Sequence, residues 1–281
     1  MQFHRKPHTY VNNVHLYVED LNRSVQFYEE ILGFKTLERT DRKAALTADG
    51  KTALLTVEQP EGVTPKEPHR SGLYHMAILL PTRADLGRFL QHLLLNGIRP
   101  GSSDHLVSEA LYFNDPDGNG IEVYRDREPE EWAWNNNLVV MATEYLDAQG
   151  VLDAGGGQPW TGLPADTLMG HIHLHVGDVD AATEFYTKGL GFEVVSQYPN
   201  ANFLATAKYH HHIAVNTWQG EGAPPKSANS VGLHSYTLVY GDDKVLQQAV
   251  ESVRSLGYTV EQEGNVYVTA DPSKNRIILS L

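Results

Sequence analysis

The 281-residue sequence contains no cysteine. This excludes disulfide bonds, thiolate metal ligands and a cysteine nucleophile, so any metal must be bound through nitrogen and oxygen atoms. Lys and Arg are also scarce, 22 residues against 35 Asp and Glu, which gives a formal net charge of -13. Nucleic acids and anionic membranes require clustered positive charge, and we therefore expect neither as a partner.

Long apolar runs are lacking as well. The N-terminal segment MQFHRKPHTYVNN has no apolar stretch typical of a signal peptide, and no run approaches the roughly 20 apolar residues that a membrane-spanning helix needs. The sequence therefore favours a cytoplasmic protein. Histidine, in contrast, is abundant at 14 residues, and imidazole is the commonest nitrogen ligand for metals.

A repeat organises the chain. The segment VHLYVEDLNRSVQFYEEILGF, Val14 to Phe34, returns without a gap as IHLHVGDVDAATEFYTKGLGF, Ile172 to Phe192, so that His15 aligns with His173 at an offset of 173 − 15 = 158. Each copy predicts a strand with period 2, an Asp helix cap, a helix and a Gly helix stop. The two halves of the chain are thus predicted to be copies of one domain.

Each half contains a second, weaker copy of the same pattern, beginning at GLYHMAILLP and GLHSYTLVY. The chain is therefore predicted to be an α+β protein of four βαβββ modules, at about 10–60, 70–126, 168–219 and 229–281. Residues 1–130 are predicted to form a first domain of two modules, 131–165 a linker rich in Trp, Asn, Gly and Pro, and 166–281 a second domain of two modules.

Four such modules, each opening on a strand that can carry a histidine, resemble the vicinal-oxygen-chelate superfamily of glyoxalases, bleomycin-resistance proteins and extradiol dioxygenases. One segment is more specific, because its spacing follows the extradiol ring-cleavage signature: His105, five residues, Leu111-Tyr112, two residues, Asp115-Pro116-Asp117-Gly118, three residues and Glu122. Ser103, at the first position of this signature, is not one of the residue types usual there. The resemblance implies curled mixed sheets built from paired modules, and it points to the bacterial catechol 2,3-dioxygenases.

In that family the glutamate binds the metal, which implies that Glu122 and His75 are two of three ligands, while His105 and Tyr112 face the substrate. The third ligand has two candidates, because His15 and His173 occupy the same position in modules one and three. A sequential pairing of modules one and two would use His15. A crossed pairing of modules two and three would use His173.

The crossed pairing is favoured because it completes the family's set. The run YHHHIAVN, Tyr209 to Asn216, resembles the strand that carries the acid-base histidine and indicates His211, with His210 and His212 as alternatives. His171 and His175 share a strand face with His173 and are alternative ligands. Modules one and four would then bring His15 and His234 together.

That second histidine pair is expected to lack a carboxylate, because the position that matches Glu122 is Ile278.

The resemblance implies an Fe(II) enzyme, with Mn(II) as an alternative that the same ligands accept. Its expected partners are O2 and a small aromatic diol, either a catechol or a hydroquinone, in aromatic hydrocarbon catabolism, and the chain is expected to form homo-oligomers. Two other functions compete on the same fold. A glyoxalase or isomerase usually adds a second carboxylate, where this sequence has histidines, and a binding protein of the bleomycin-resistance type needs no metal ligands.

Overall fold

The computed structural model describes residues 2–281 and confirms the α+β class and the four modules. The elements of module one are β1 (Tyr10–Tyr17), α1 (Leu21–Phe27) with a following π-helical turn (Tyr28–Leu32), β2 (Lys35–Arg39), β3 (Lys43–Thr47) and β4 (Ala53–Glu58). The elements of module two are β5 (Gly72–Leu79), α2 (Arg83–Leu95), β6 (Gly101–Asp104), β7 (Ser108–Asn114) and β8 (Gly120–Asp126).

The second half repeats this order after an irregular connection. The connection contains a 3-10 turn (Pro129–Glu131), β9 (Trp134–Asn135), β10 (Leu138–Val139) and α3 (Ala148–Ala154). The elements of module three are β11 (Leu168–His175), α4 (Val179–Glu184) with a π-helical turn (Phe185–Gly189), β12 (Glu193–Tyr198), β13 (Ala201–Ala205) and β14 (Ile213–Asn216). Module four consists of β15 (Gly232–Val239), α5 (Asp243–Ser255), β16 (Glu261–Glu263), β17 (Val266–Ala270) and β18 (Arg276–Ser280).

The helix boundaries follow local capping chemistry. The first helix of every module is preceded by a side chain that accepts a hydrogen bond from the backbone N–H three residues later; these caps are Asp20, Thr82, Asp178 and Asp242. Gly33 and Gly97 follow the helical segments of modules one and two with φ of 87° and 74°, a left-handed conformation that glycine adopts at little cost. The Asp cap and the Gly stop that the repeat predicts for module one are confirmed at Asp20 and Gly33.

The two large sheets pair the modules in the crossed manner. One eight-stranded sheet has the order β12-β13-β14-β11-β5-β8-β7-β6 and joins modules two and three. The other has the order β16-β17-β18-β15-β1-β4-β3-β2 and joins modules one and four. Each sheet therefore draws one module from either side of the segment 131–165, while the division of the chain into domains at those boundaries stays a prediction.

The central strands divide their side chains between a core and a concave face. Ile172 and Leu174 on β11, like Met76 and Ile78 on β5, are fully buried members of the main hydrophobic cluster, which also includes residues of the helices and of the other sheet. The alternate residues, including His171 and His173, must point to the opposite face of their strand. The sheet of modules two and three thus presents histidines on its concave side.

Two β-bulges interrupt the pairing of β5 with β11. His173 lies opposite His75, but Leu174 lies opposite Leu73, so Tyr74 is an extra residue on β5; Gly170 is the corresponding extra residue on β11. A bulge turns the side chains of two consecutive residues toward one face. Tyr74 and His75 therefore both reach the concave side, which regular alternation would forbid.

No helix among residues 2–281 combines the length and the apolar character that crossing a membrane requires.

Candidate metal centre and active site

Three ligand atoms converge at the middle of the sheet formed by modules two and three. In the strand register His171 of β11 lies opposite Ala77 of β5, and Ala77 lies beside Glu122 of β8. The small side chain of Ala77 leaves room above it, and His171 Nε2 lies 3.1 Å from Glu122 Oε2. His75, two residues before Ala77 on the same face, places its Nε2 3.0 Å from the same oxygen.

These atoms fit a divalent metal ion. The ligand atoms of His75, Glu122 and His171 all lie within 4.8 Å of one another, and neighbouring ligands around a first-row ion are about 3 Å apart. His75 Nε2 is buried and forms no hydrogen bond, although Glu122 is near. Two imidazoles and one carboxylate on one face are typical of non-haem Fe(II) sites with open positions.

Electrostatics hold Glu122 and His171 in the protonation states that ligation requires. Burial raises the pKa of Glu122, but the adjacent His171 and His75 outweigh burial and hold this pKa well below its usual range. Burial lowers the pKa of His171 to about 4, against the opposing effect of Glu122. A carboxylate and a neutral imidazole are the forms that bind metals.

His173 lies one row away from this cluster. It faces His75 across the two strands, with ring centroids 5.0 Å apart, and lines the same cavity. Its Nε2, however, accepts a hydrogen bond of 2.8 Å from the Asn216 amide, whose oxygen lies 2.8 Å from His175 Nδ1. The geometry therefore favours His171 over the predicted His173 as the third ligand, and the assignment itself remains a proposal.

A signal for His171 was present in the sequence. His75 precedes the helix cap Thr82 by 82 − 75 = 7 residues, and His171 precedes the cap Asp178 by 178 − 171 = 7, whereas His173 precedes it by 5. The alignment of module three with module one selected His173, because module one carries its histidine at the five-residue position. Counting from the helix cap of module two selects His171.

The sheet of modules one and four lacks the equivalent ligands. The positions seven residues before its helix caps are Asn13 and Ser235, and Ile278 stands where β8 carries the glutamate. His15 and His234 do meet, as predicted, with ring centroids 4.6 Å apart. The expectation that this pair lacks a carboxylate was wrong, because β4 follows β1 in the sheet and brings the Glu58 carboxylate 3.0 Å from His15 Nε2.

A cavity of ≈ 340 Å³ opens above the candidate metal centre. Predicted site residues found in its wall are His75, Glu122, His105, Tyr112, His173 and His211. His105 Nε2 lies 2.6 Å from the Tyr112 hydroxyl, and His105 Nδ1 lies 2.7 Å from the carbonyl of Ala142 in the connection between the modules. Burial, and then the negative charge of Glu122, raises the pKa of Tyr112 well above its usual value, so this phenol stays protonated.

Of the three consecutive histidines, His211 alone lines the cavity. It lies in the segment just before β14, 7% exposed, and its ring centroid is 4.0 Å from that of His171. His210 turns to Asp126, with 2.8 Å between Nε2 and the carboxylate oxygen, and His212 Nε2 lies 3.1 Å from the carbonyl oxygen of Phe3. The position of His211 is compatible with the predicted acid-base role, which stays a prediction.

The remaining wall of the cavity is largely apolar and aromatic. Tyr74 packs edge-on against Trp218, with centroids 5.4 Å apart, and both lie near the His173 ring. Phe203 and Tyr198 extend this wall. Tyr74 could not be predicted from the sequence, because its side chain reaches the cavity only through the bulge in β5.

Comparison with known proteins agrees with this fold. The chain belongs to the glyoxalase/bleomycin resistance protein/dioxygenase superfamily, whose sequence profile matches residues 10–123 and 168–279. It is 45% identical over 268 residues to the catechol-2,3-dioxygenase of Bacillus subtilis (strain 168), covering 94% of both chains. It is 33% identical over 122 residues to biphenyl-2,3-diol 1,2-dioxygenase 3 of Rhodococcus globerulus, covering 41% of this chain and 64% of that protein.

Among solved structures, glyoxalase I from Zea mays superimposes with a TM-score of 0.61 at 16% identity, covering 96% of this chain and 92% of the maize chain. At this identity the likeness concerns the fold alone.

Proposed function

We propose that the protein is an extradiol ring-cleaving dioxygenase that acts on catechol or a substituted catechol with O2. The observation that carries the proposal is the cluster of His75, Glu122 and His171. The first two of these residues line a mostly apolar cavity whose wall also contains His105, Tyr112 and His211. The 45% identity to a catechol-2,3-dioxygenase over nearly the whole chain supports the same reaction class.

His75, Glu122 and His171 would hold the metal, Fe(II) or Mn(II), and His173 would line the substrate side. When bound, the ion supplies a Lewis-acidic centre with open positions for both catechol oxygens and for O2. The single carboxylate keeps the charge of the ligand set low, so that an anionic diol can still approach.

His211 is proposed as the acid-base group. Its ring lies against the ring of His171 and lines the cavity. A substrate bound at the metal would therefore lie beside His211. It would accept a proton from one substrate hydroxyl and return a proton to an oxygen later in the reaction, and such proton transfers contribute about 10²–10⁴-fold to rate.

His105 and Tyr112 are proposed to bind substrate oxygens. They are hydrogen-bonded to each other, and the Ala142 carbonyl fixes the other nitrogen of the imidazole. Because a carbonyl only accepts, His105 Nδ1 carries a hydrogen, and Nε2 accepts from the Tyr112 hydroxyl. A substrate oxygen would take over this hydroxyl donor when it binds, and a donor already held in place stabilises developing negative charge at little reorganisation cost.

The cavity volume bears on substrate size. A value of ≈ 340 Å³ lies at the lower end of the range of about 300–1,000 Å³ for small-molecule sites. The Tyr74, Trp218 and Phe203 rings offer an apolar wall for an aromatic face. We therefore propose a single-ring diol as the preferred substrate.

The experiment is anaerobic reconstitution with Fe(II) or Mn(II), removal of free metal, and addition of catechol, methylcatechols and 2,3-dihydroxybiphenyl in air. Appearance of the coloured ring-fission product with one of the two metals is expected, with faster turnover of the single-ring diols. Glu122→Gln is the matched control, which should retain neither metal nor activity. Metal-loaded protein that leaves every diol unchanged would overturn the proposal and favour a glyoxalase-type reaction.

A further inference from the structure

Behind His211 lies a hydrogen-bonded row of polar groups, with His210 buried and Asp126 partly exposed, that the proposed chemistry has not used. His210 Nδ1 lies 2.8 Å from His211 Nδ1, and His210 Nε2 lies 2.8 Å from a carboxylate oxygen of Asp126. His210 is completely buried. Asp126 belongs to β8 of module two and stands four residues after Glu122, on the same strand face. The row therefore connects the two modules that form the cavity.

With a neutral His210, the partners along this row of hydrogen bonds set which ring nitrogens carry hydrogen. A carboxylate only accepts hydrogen bonds, so His210 Nε2 must carry a hydrogen. A neutral His210 then has a bare Nδ1, and the contact between the two Nδ1 atoms requires a hydrogen on His211. His211 is left with a bare Nε2, the nitrogen that does not face His210.

Asp126 and His210, the groups farthest from the cavity, are held in place by their neighbours. The Tyr209 hydroxyl donates to Asp126 at 3.1 and 3.2 Å from the two carboxylate oxygens, and it lies 2.8 Å from the Tyr124 hydroxyl. The Tyr209 ring packs on the His210 ring with centroids 4.0 Å apart, and Trp132 packs edge-on against the same imidazole at 5.3 Å. Both the carboxylate and the imidazole are thus fixed in position by packing and hydrogen bonds.

We propose that Asp126 and His210 are positioning residues that fix the tautomer of His211, so that its unprotonated Nε2 faces the substrate. The proposal rests on the proposed acid-base role of His211. In the step that it serves, the O–H bond of a substrate hydroxyl breaks, the electron pair stays on oxygen and the proton binds to His211 Nε2. The resulting imidazolium keeps its Nδ1–H bond to His210, and the negative charge of Asp126 balances the added positive charge through His210.

The tautomer can be measured without any reaction. In metal-free protein labelled with ¹⁵N-histidine, long-range ¹H–¹⁵N correlation spectra distinguish protonated from bare ring nitrogens, and the His211 signals are assigned by their loss in His211→Gln. Wild-type protein is expected to show hydrogen on Nδ1 and none on Nε2. Asp126→Asn is expected to lose this preference, because an amide can either accept from or donate to His210. A wild-type His211 with its hydrogen on Nε2 would overturn the proposal.

Kinetics of metal-loaded variants test the consequence. Asp126→Asn and His210→Gln are expected to lower kcat by about 10–100-fold, less than the loss from His211→Gln, with unchanged KM and metal content. His212→Gln is the matched control, since it makes the same replacement at the next buried histidine, whose Nε2 lies 3.1 Å from the Phe3 carbonyl oxygen and which bonds to neither Asp126 nor His211; its kcat should be unchanged. Equal losses in His210→Gln and His212→Gln, or a fall in metal content that accounts for the loss, would contradict the positioning role.

The two measurements separate the proposals. Wild-type protein that cleaves no diol but shows the Nδ1–H tautomer would refute the proposed reaction and leave the tautomer assignment standing. Wild-type protein that cleaves diols but carries the His211 hydrogen on Nε2 would refute the tautomer assignment and leave the proposed reaction standing.

Discussion

Replacing His171 with asparagine is expected to abolish tight metal binding, whereas the same replacement at His173 is expected to leave it nearly intact. Both residues lie on β11, on the same face and two positions apart, and both are buried. They differ in register: His171 lies in the row of Ala77 and Glu122, and His173 bonds to Asn216. The pair of variants therefore tests which row of the sheet holds the metal.

The magnitude follows from the number of ligands. Four-ligand zinc sites bind with apparent free energies of about 10–16 kcal/mol, or about 3–4 kcal/mol per ligand. Loss of one ligand should therefore weaken binding by about 10²–10³-fold. His173→Asn removes a group beside the ligands, and we expect no more than about a 10-fold change.

The assay is competition for metal between each variant and a chelator of known affinity, under anaerobic conditions for Fe(II). Circular dichroism of the metal-free variants checks that both remain folded. Strong metal binding by His171→Asn together with metal loss in His173→Asn would refute the register argument and restore His173 as the ligand.

Three further predictions concern the cavity, the fold and the strand contacts. Tyr112→Phe should lower kcat/KM by about 10²-fold with unchanged metal content, and wild-type kcat/KM would show that the hydroxyl does not bind substrate. Glu109→Gln should destabilise the protein by about 2–3 kcal/mol in urea unfolding, because Glu109 is 1% exposed and pairs with both Arg83 and Arg125; unaltered stability would refute this. Gly120→Ala should destabilise the protein by about 1–3 kcal/mol and weaken metal binding, because the added Cβ would clash with the Tyr74 carbonyl oxygen. An unchanged unfolding midpoint would contradict that clash.

The module pattern could be predicted from sequence because it rests on local signals. Strand alternation, helix caps such as Asp20 and helix stops such as Gly33 lie within a few residues of the structure that they specify. The crossed pairing followed from a different argument, the completeness of one family's set of functional residues, and the pairing of β5 with β11 confirms it.

The register of the site was harder to predict because it depends on contacts between distant strands. An extra residue in a β-bulge changes which side chains share a face of the strand, and the sequence around Tyr74 does not indicate that a bulge lies there. The connection between the modules contributes the Ala142 carbonyl to His105, and Asp126 meets His210 from the other half of the chain. Such contacts join residues that are far apart in sequence and are specified only by the folded sheet.

The most direct test of the central claim is the fate of oxygen. Metal-loaded protein is mixed with catechol and ¹⁸O2, and oxygen uptake is followed with an electrode. The molecular mass of the product is measured by mass spectrometry as the product forms. We predict that one O2 is consumed per catechol, and that the product is heavier than the substrate by the mass of one labelled O2 before exchange with water. Catechol consumed without O2 uptake, or oxidised to a quinone that gains no oxygen, would contradict ring cleavage by this protein.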